Sequence, residues 1–90
     1  MHGLGFENVN RTEINSLSRV RASAFSGQAR QTRLSAHLSL SELAKVCGVD
    51  ASTVWRWEQG KRVPRGEPAL RYARVLDTLA HAQAAGEAEW

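Results

Sequence analysis

The sequence predicts an all-α domain of four to five short helices, and three observations carry that reading. Apolar residues recur at spacings of three and four, the repeat that lines one face of a helix. Polar N-cap residues stand ahead of those runs, at Thr12, Ser39 and Asp50. Gly48 and Gly60 follow two of the runs, where a residue of positive φ ends a helix.

Met1 to Arg11, with two glycines and two asparagines, has no period and reads as a mobile arm. From Thr12, as N-cap, Ile14, Leu17, Val20, Arg21, Ala24 and Phe25 fall near helical spacing. Gln28 to Ala36 forms the next helix, with Ala29, Leu34 and Ala36 inward. Ser26-Gly27 lies between the two. A glycine inside a helix costs only about 1 kcal/mol, so the sequence admits two separate helices or one long rod.

The stretch from His37 to Pro64 organises the rest. Ser39 followed three residues later by Glu42 makes a capping box, in which each side chain satisfies an otherwise orphaned backbone N–H. The helix then starts at Leu40, with Leu43, Ala44 and Cys47 on one face, and stops at Gly48. Asp50 caps a second helix, Ala51 to Gln59, its carboxylate at the positive end of the helix dipole. The turn is about three residues long. Ala44 allows a close crossing, and Gly48 takes positive φ without strain. Val54 and Trp57 face inward, whereas Ala51, Ser52, Trp55 and Arg56 occupy a face that no core-packing argument explains. After Gly60 come Lys61, Arg62 and Arg65 around Pro64. Glu67-Pro68 starts a last helix, with Leu70, Ala73, Val75, Leu76 and Leu79 as its apolar stripe, running on into Ala85. Residues 86–90 read as a frayed tail, leaving residues 12–85 as one domain.

Ninety residues, 42% apolar, suffice for one modest core. The net charge of +3 and pI of about 9.8 suit nucleic acid but do not require it. Placement says more: Lys61, Arg62, Arg65, Arg71 and Arg74 cluster with Glu67 alone among them, and Asp77, Glu87 and Glu89 make the tail acidic. The partner should meet the middle of the chain. A single cysteine forms no internal disulfide; Cys47 reads as core, in a reduced cytoplasmic protein. No apolar run approaches the ~18 residues that span a bilayer, and no basic-then-apolar leader opens the chain. His2, His37 and His81 are scattered, so no metal is expected, and neither a phosphate loop nor a nucleophile triad suggests an enzyme or a cofactor.

As a unit, LSLSELAKVCGVDASTVWRWEQGKRVP resembles the Cro and phage-repressor type (XRE-like) helix-turn-helix family. It joins a small Ala, a turn Gly, two inward apolar residues, a Trp-Glu-x-Gly ending and a basic loop within 28 residues, and with flanking helices covers roughly Phe25 to Leu79. The motif proper is 39–59. The resemblance implies a lambda-repressor-like domain, here with an extra N-terminal helix, that binds double-stranded DNA and regulates transcription. It is expected to be a small repressor or Cro-like protein of phage or mobile-element type, in the bacterial cytoplasm or nucleoid.

By position in the family, Ala51, Ser52 and Arg56 would read bases in the major groove, Ala51 at a thymine methyl and Arg56 at guanine. Thr53, Lys61, Arg62 and Arg65 would hold phosphates. Trp55 would pack on sugar or a thymine methyl, or fold back on its neighbours. Arg33 would pair with Glu58, and Trp57 would be core. Two departures stand out: Leu40 replaces a frequent Gln that bonds phosphate, and Asp77-Thr78-Leu79 replaces a Gly-containing turn before a further short helix near the usual dimer contact. One motif offers few base contacts, so a homodimer on a pseudo-palindromic operator is expected. The rivals are an autoregulating antitoxin and a protein-interaction module with Trp55 and Trp90 as anchors.

Overall fold

Helix α1 spans Arg11–Ser26, α2 Gln28–Ser35, α3 Leu40–Cys47, α4 Ala51–Glu58 and α5 Gly66–Ala88. The computed structural model describes residues 10–88, with side chains to residue 84. Most of the expected N-terminal arm, His2 and Trp90 therefore lie outside the described residues.

Helix α1 begins earlier than Thr12 because a better cap precedes it. Asn10 Oδ1 accepts the Glu13 N–H at 2.8 Å, and the Asn10 amide donates to Glu13 Oε1 at 3.3 Å. Thr12 falls within the first turn. At the other end, Gly27 adopts φ 92° and breaks the chain into two helices rather than one rod. Helix α2 ends at Ser35, with the expected last residue Ala36 as its C-cap, and the turn after it falls on a residue the sequence did not flag: His37 takes φ 59°, and Leu38 N–H closes back onto Arg33 O at 3.2 Å. Helix α3 has the capping box at Ser39 and Glu42 and the left-handed cap at Gly48, φ 77°.

The core gathers Val20 and Ala24 of α1, Ala29 of α2, Leu43, Ala44 and Cys47 of α3, Val54 and Trp57 of α4, and Ala69, Tyr72, Ala73 and Leu76 of α5. Trp57 and Tyr72 stack with ring centroids 4.6 Å apart. Two expectations shift. On α2, Leu34 is exposed while Arg33 turns inward, because Ala29 and Arg33 are four apart and share a face that Leu34 misses. On α5, the buried stripe is Ala69, Tyr72, Ala73 and Leu76, with Leu70, Val75 and Leu79 half-buried at its edges. Tyr72, fully buried, is the side chain that the sequence reading left out.

Three polar contacts tie the elements together. Arg19 of α1 clasps Asp77 of α5 through two hydrogen bonds of 3.1 and 3.3 Å. Gln83 Nε2 donates to Thr32 O at 3.2 Å, joining α5 to α2. Arg21 Nε donates to Pro64 O at 3.0 Å, pinning the loop after α4 to α1.

Candidate nucleic-acid interface

The turn between α3 and α4 is set by Gly48, Val49 and Asp50. Val49 N–H donates to Ala44 O at 3.0 Å, closing α3. Asp50 Oδ1 then accepts three donors at 2.8 Å each: the Thr53 N–H, the Thr53 hydroxyl and the Ser52 hydroxyl. The hydroxyl of Ser52, with the hydroxyl and backbone N–H of Thr53, holds the Asp50 carboxyl below its ordinary pKa, so it is ionised and fixed at the start of α4. A side chain at Gly48 would be strained by its φ of 77° and would meet the Arg71 guanidinium.

Helix α4 divides cleanly. Val54, Trp57 and Glu58 are buried; Ser52, Trp55 and Arg56 are exposed; Ala51 and Thr53 are half-buried at the border. Arg56 Nη1 reaches Ser52 Oγ at 3.5 Å, so Asp50, Ser52 and Arg56 form a polar row along the outward face. Trp55 points outward too, and the Lys61 ammonium lies 5.1 Å from its ring centroid, a cation–π contact that packs the first loop cation onto α4. The Lys61 N–H donates to Arg56 O at 2.9 Å, which turns the chain at Gly60.

Thr53, Lys61, Arg62 and Arg65 come together around one open cleft of about 520 Å³, with Val49, Trp57, Val63 and Pro68 as its apolar lining. Arg71 and Arg74, which the sequence groups with them, are drawn aside to Glu67, at 3.8 and 3.1 Å. Among the described residues, Lys61, Arg62 and Arg65 have no carboxylate within ion-pair distance. The basic cluster therefore separates into a balanced half on α5 and an unbalanced half in the loop.

Behind this face, the structure brings Arg33 and Glu58 together. Nε lies 2.6 Å from Oε2 and Nη2 3.0 Å from Oε1, while Nη1 donates to Leu38 O at 2.9 Å. Both side chains are buried, 9% and 1% exposed, so neither charge has bulk water to fall back on. The hydrogen bond to Glu58 raises the Arg33 pKa above its ordinary value against the opposing effect of burial. Leu40, at the position where the resembled family often has Gln, packs half-buried against the core.

Two further residues position this surface and were not evident from sequence. Arg21 fixes the loop carbonyl of Pro64, and His37 shapes the approach to α3. The only sequence signal for Arg21 was a charge at a position otherwise in apolar register.

A helix-turn-helix domain family matches residues 24–87. The chain belongs to the helix-turn-helix domain family, of the XRE/Cro-like kind. No curated protein and no solved structure matches it. The matched span takes in α2 to α5 and only the end of α1, so most of α1 precedes the helix-turn-helix domain as the family defines it. Membership makes this a DNA-binding domain. Among the described residues, no cluster of His, Cys, Asp and Glu is arranged to hold a metal, and no helix is long and apolar enough to cross a membrane.

Proposed function

We propose that this chain binds duplex DNA sequence-specifically as a transcriptional regulator, a repressor or Cro-like protein of phage or mobile-element type acting in the bacterial cytoplasm or nucleoid. Residues 12–85 act as one DNA-binding unit. Helix α4 enters the major groove, about 12 Å wide, with its N-terminal end leading. There Ala51 meets a thymine methyl, Ser52 bonds a base or phosphate, and Arg56 forks onto guanine N7 and O6. Trp55 lies along the groove wall against sugar or a thymine methyl. Thr53, Lys61, Arg62 and Arg65 grip the backbone and supply affinity without sequence information.

The observation that carries this reading is the pairing of an exposed polar row on α4 with three loop cations that have no carboxylate partner among the described residues. A solvated surface gives no reason for Glu67 to balance two arginines on α5 and leave Lys61, Arg62 and Arg65 unbalanced beside α4. One eight-residue helix touches few base pairs, so the working form is a homodimer on a pseudo-palindromic operator, its half-sites about one helical turn, ~34 Å, apart.

Selection of bound sequences from a random duplex pool tests the reading. A two-fold symmetric site should emerge, and its affinity should fall steeply with salt as phosphate counterions are released. Absence of any enriched sequence, together with binding that ignores salt, would exclude it.

A further inference from the structure

In the loop after α4, backbone pairing stops at the Lys61 N–H and resumes at Arg65 O, which accepts the Ala69 N–H at 3.4 Å. Between them, among the described residues, Arg62, Val63 and Pro64 share a single hydrogen bond: Arg21 Nε of α1 donates to Pro64 O at 3.0 Å. Pro64 is buried, so its carbonyl needs that donor. Four residues along the same face of α1, the Phe25 ring lies against the start of the loop, where a Cβ built on Gly60 would stand 3.5 Å from it. Helix α1 thus holds the segment at both ends. The helix is itself fixed, by Val20 and Ala24 in the core and by the Arg19 clasp on Asp77.

We propose that Arg21 is a positioning residue for DNA: through Pro64 it holds Arg62 and Arg65 where phosphates meet them, which makes α1 a brace for the binding surface although the family match begins only at residue 24. The proposal rests on the DNA-binding reading above. A loop that is loose before binding has to be ordered by DNA, and that ordering is subtracted from the affinity. A loop already held loses little. Without Arg21 the Pro64 carbonyl would turn out to water for a partner, and the arginines on either side would turn with it. Base reading belongs to α4, which Asp50 and the Arg33–Glu58 pair hold independently of Arg21. Affinity should therefore depend on Arg21 while base preference does not. Arg21 is also a cation lining the same small hollow as Arg62, with no carboxylate within ion-pair distance among the described residues. A direct phosphate contact is the rival role, and side-chain geometry separates the two.

The test uses the full chain and the site selected from the random duplex pool. Arg21→Gln sets an amide N–H at the same number of bonds from Cα as Arg Nε, so it keeps the tether and drops the charge; Arg21→Met, of similar length, keeps neither. Arg21→Met should bind about 10-fold more weakly at every single-base variant of the site, while Arg21→Gln stays within about 3-fold of wild type. In a chain already carrying Arg62→Ala and Arg65→Ala, Arg21→Met should cost less than about 2-fold, because the residues it acts through are gone. Trypsin supplies a readout without DNA. It should nick Arg21→Met after Arg62 faster than it nicks wild type or Arg21→Gln, measured against cleavage after the buried Arg33, which requires unfolding. Equal losses of binding for Gln and Met would put the Arg21 charge on DNA itself and overturn the proposal. So would losses that add fully in the Arg62→Ala, Arg65→Ala chain, or an unchanged rate of nicking in Arg21→Met. Failure of wild type to select any sequence is a different result, and it removes the DNA-binding reading along with this role.

Discussion

Arg33 and Glu58 meet as a two-pronged ion pair, 2.6 and 3.0 Å, that joins α2 to the last turn of α4 across 25 residues of sequence. The carboxylate sits at the negative end of a helix dipole, an unfavourable place that the guanidinium offsets. Since Arg33 also donates to Leu38 O, one side chain fixes α2, the chain leading to α3 and the end of α4 together.

Removal of either partner should therefore be costly. Glu58→Ala should destabilise the fold by about 3–5 kcal/mol, because it strands a buried guanidinium. Replacing both, Arg33→Met with Glu58→Leu, should be close to neutral in stability, since apolar pairs of similar volume substitute well for buried ion pairs. Urea unfolding of the two single variants and the double gives the coupling. A value under about 0.5 kcal/mol, typical of solvated pairs, would show that the pair does not hold these helices.

Much of the central fold was legible in the sequence because local signals agreed with tertiary demand. Ser39 with Glu42, Gly48 and Asp50 act through hydrogen bonds or backbone angles within a few residues, and the bounds of α3 and the start of α4 follow from them. The end of α2 was legible to within one residue, but the left-handed turn after it was not, since His37 at φ 59° lies in a closure onto Arg33 O and carries no glycine to announce it. Nor was the burial of Tyr72, where the stacking partner Trp57 comes from another helix. The separation of the basic cluster also depended on distance, because Glu67 reaches Arg71 and Arg74 only when they lie one and two turns along a formed helix. The direct base and phosphate contacts remain the proposal made above, for no local signal distinguishes a groove-facing arginine from a solvated one.

Tyr72 makes a second prediction. Its hydroxyl is buried and has no hydrogen-bond partner among the described residues. Burial raises its pKa, so it stays protonated and its polar atom is a net cost. Tyr72→Phe keeps the stack on Trp57 and should leave stability unchanged or raise it by up to about 1 kcal/mol. Tyr72→Ala, which also leaves a cavity, should lose about 3–5 kcal/mol. Chemical denaturation measures both, and a clear loss for Tyr72→Phe would reveal a partner for the hydroxyl.

Cys47 makes a third. Burial pushes its thiol from the ordinary 9.0 up to about 11, despite the opposing pull of Arg71. The folded state thus favours the neutral thiol. Its stabilising contribution is complete below pH 9, where the unfolded chain is also protonated, and is lost as pH rises from 9 towards 11. The loss at its largest is about 2–3 kcal/mol. Wild type should weaken over that window more than Cys47→Ala does, once their difference at neutral pH is subtracted. At pH 8 the native thiol should react with a thiol reagent no faster than the chain unfolds. Rapid labelling of the native protein, or identical alkaline profiles for the two chains, would contradict this.

Arg56 and Lys61 should fail in different ways, although both are cations beside α4. Arg56 lies one turn beyond Ser52 on the exposed row, its guanidinium held, among the described residues, only by a long 3.5 Å contact to the Ser52 hydroxyl. That contact is easily exchanged for guanine. Arg56→Ala should therefore lose about 1–3 kcal/mol at the preferred site and relax the preference at one base pair. Lys61 follows the Gly60 reversal and rests over Trp55, at the mouth of the basic cleft. Lys61→Ala should weaken all sequences alike and reduce the slope of log affinity against log salt by about 1. Trp55→Leu keeps an apolar body but removes the ring that supports the ammonium, and it should reproduce part of the Lys61 effect without changing that slope as much. The measurement is binding to the selected site and its single-base variants at several salt concentrations. If Arg56→Ala weakens every variant equally while Lys61→Ala alters base preference, α4 does not lie in the groove as proposed, and another face of the domain meets DNA.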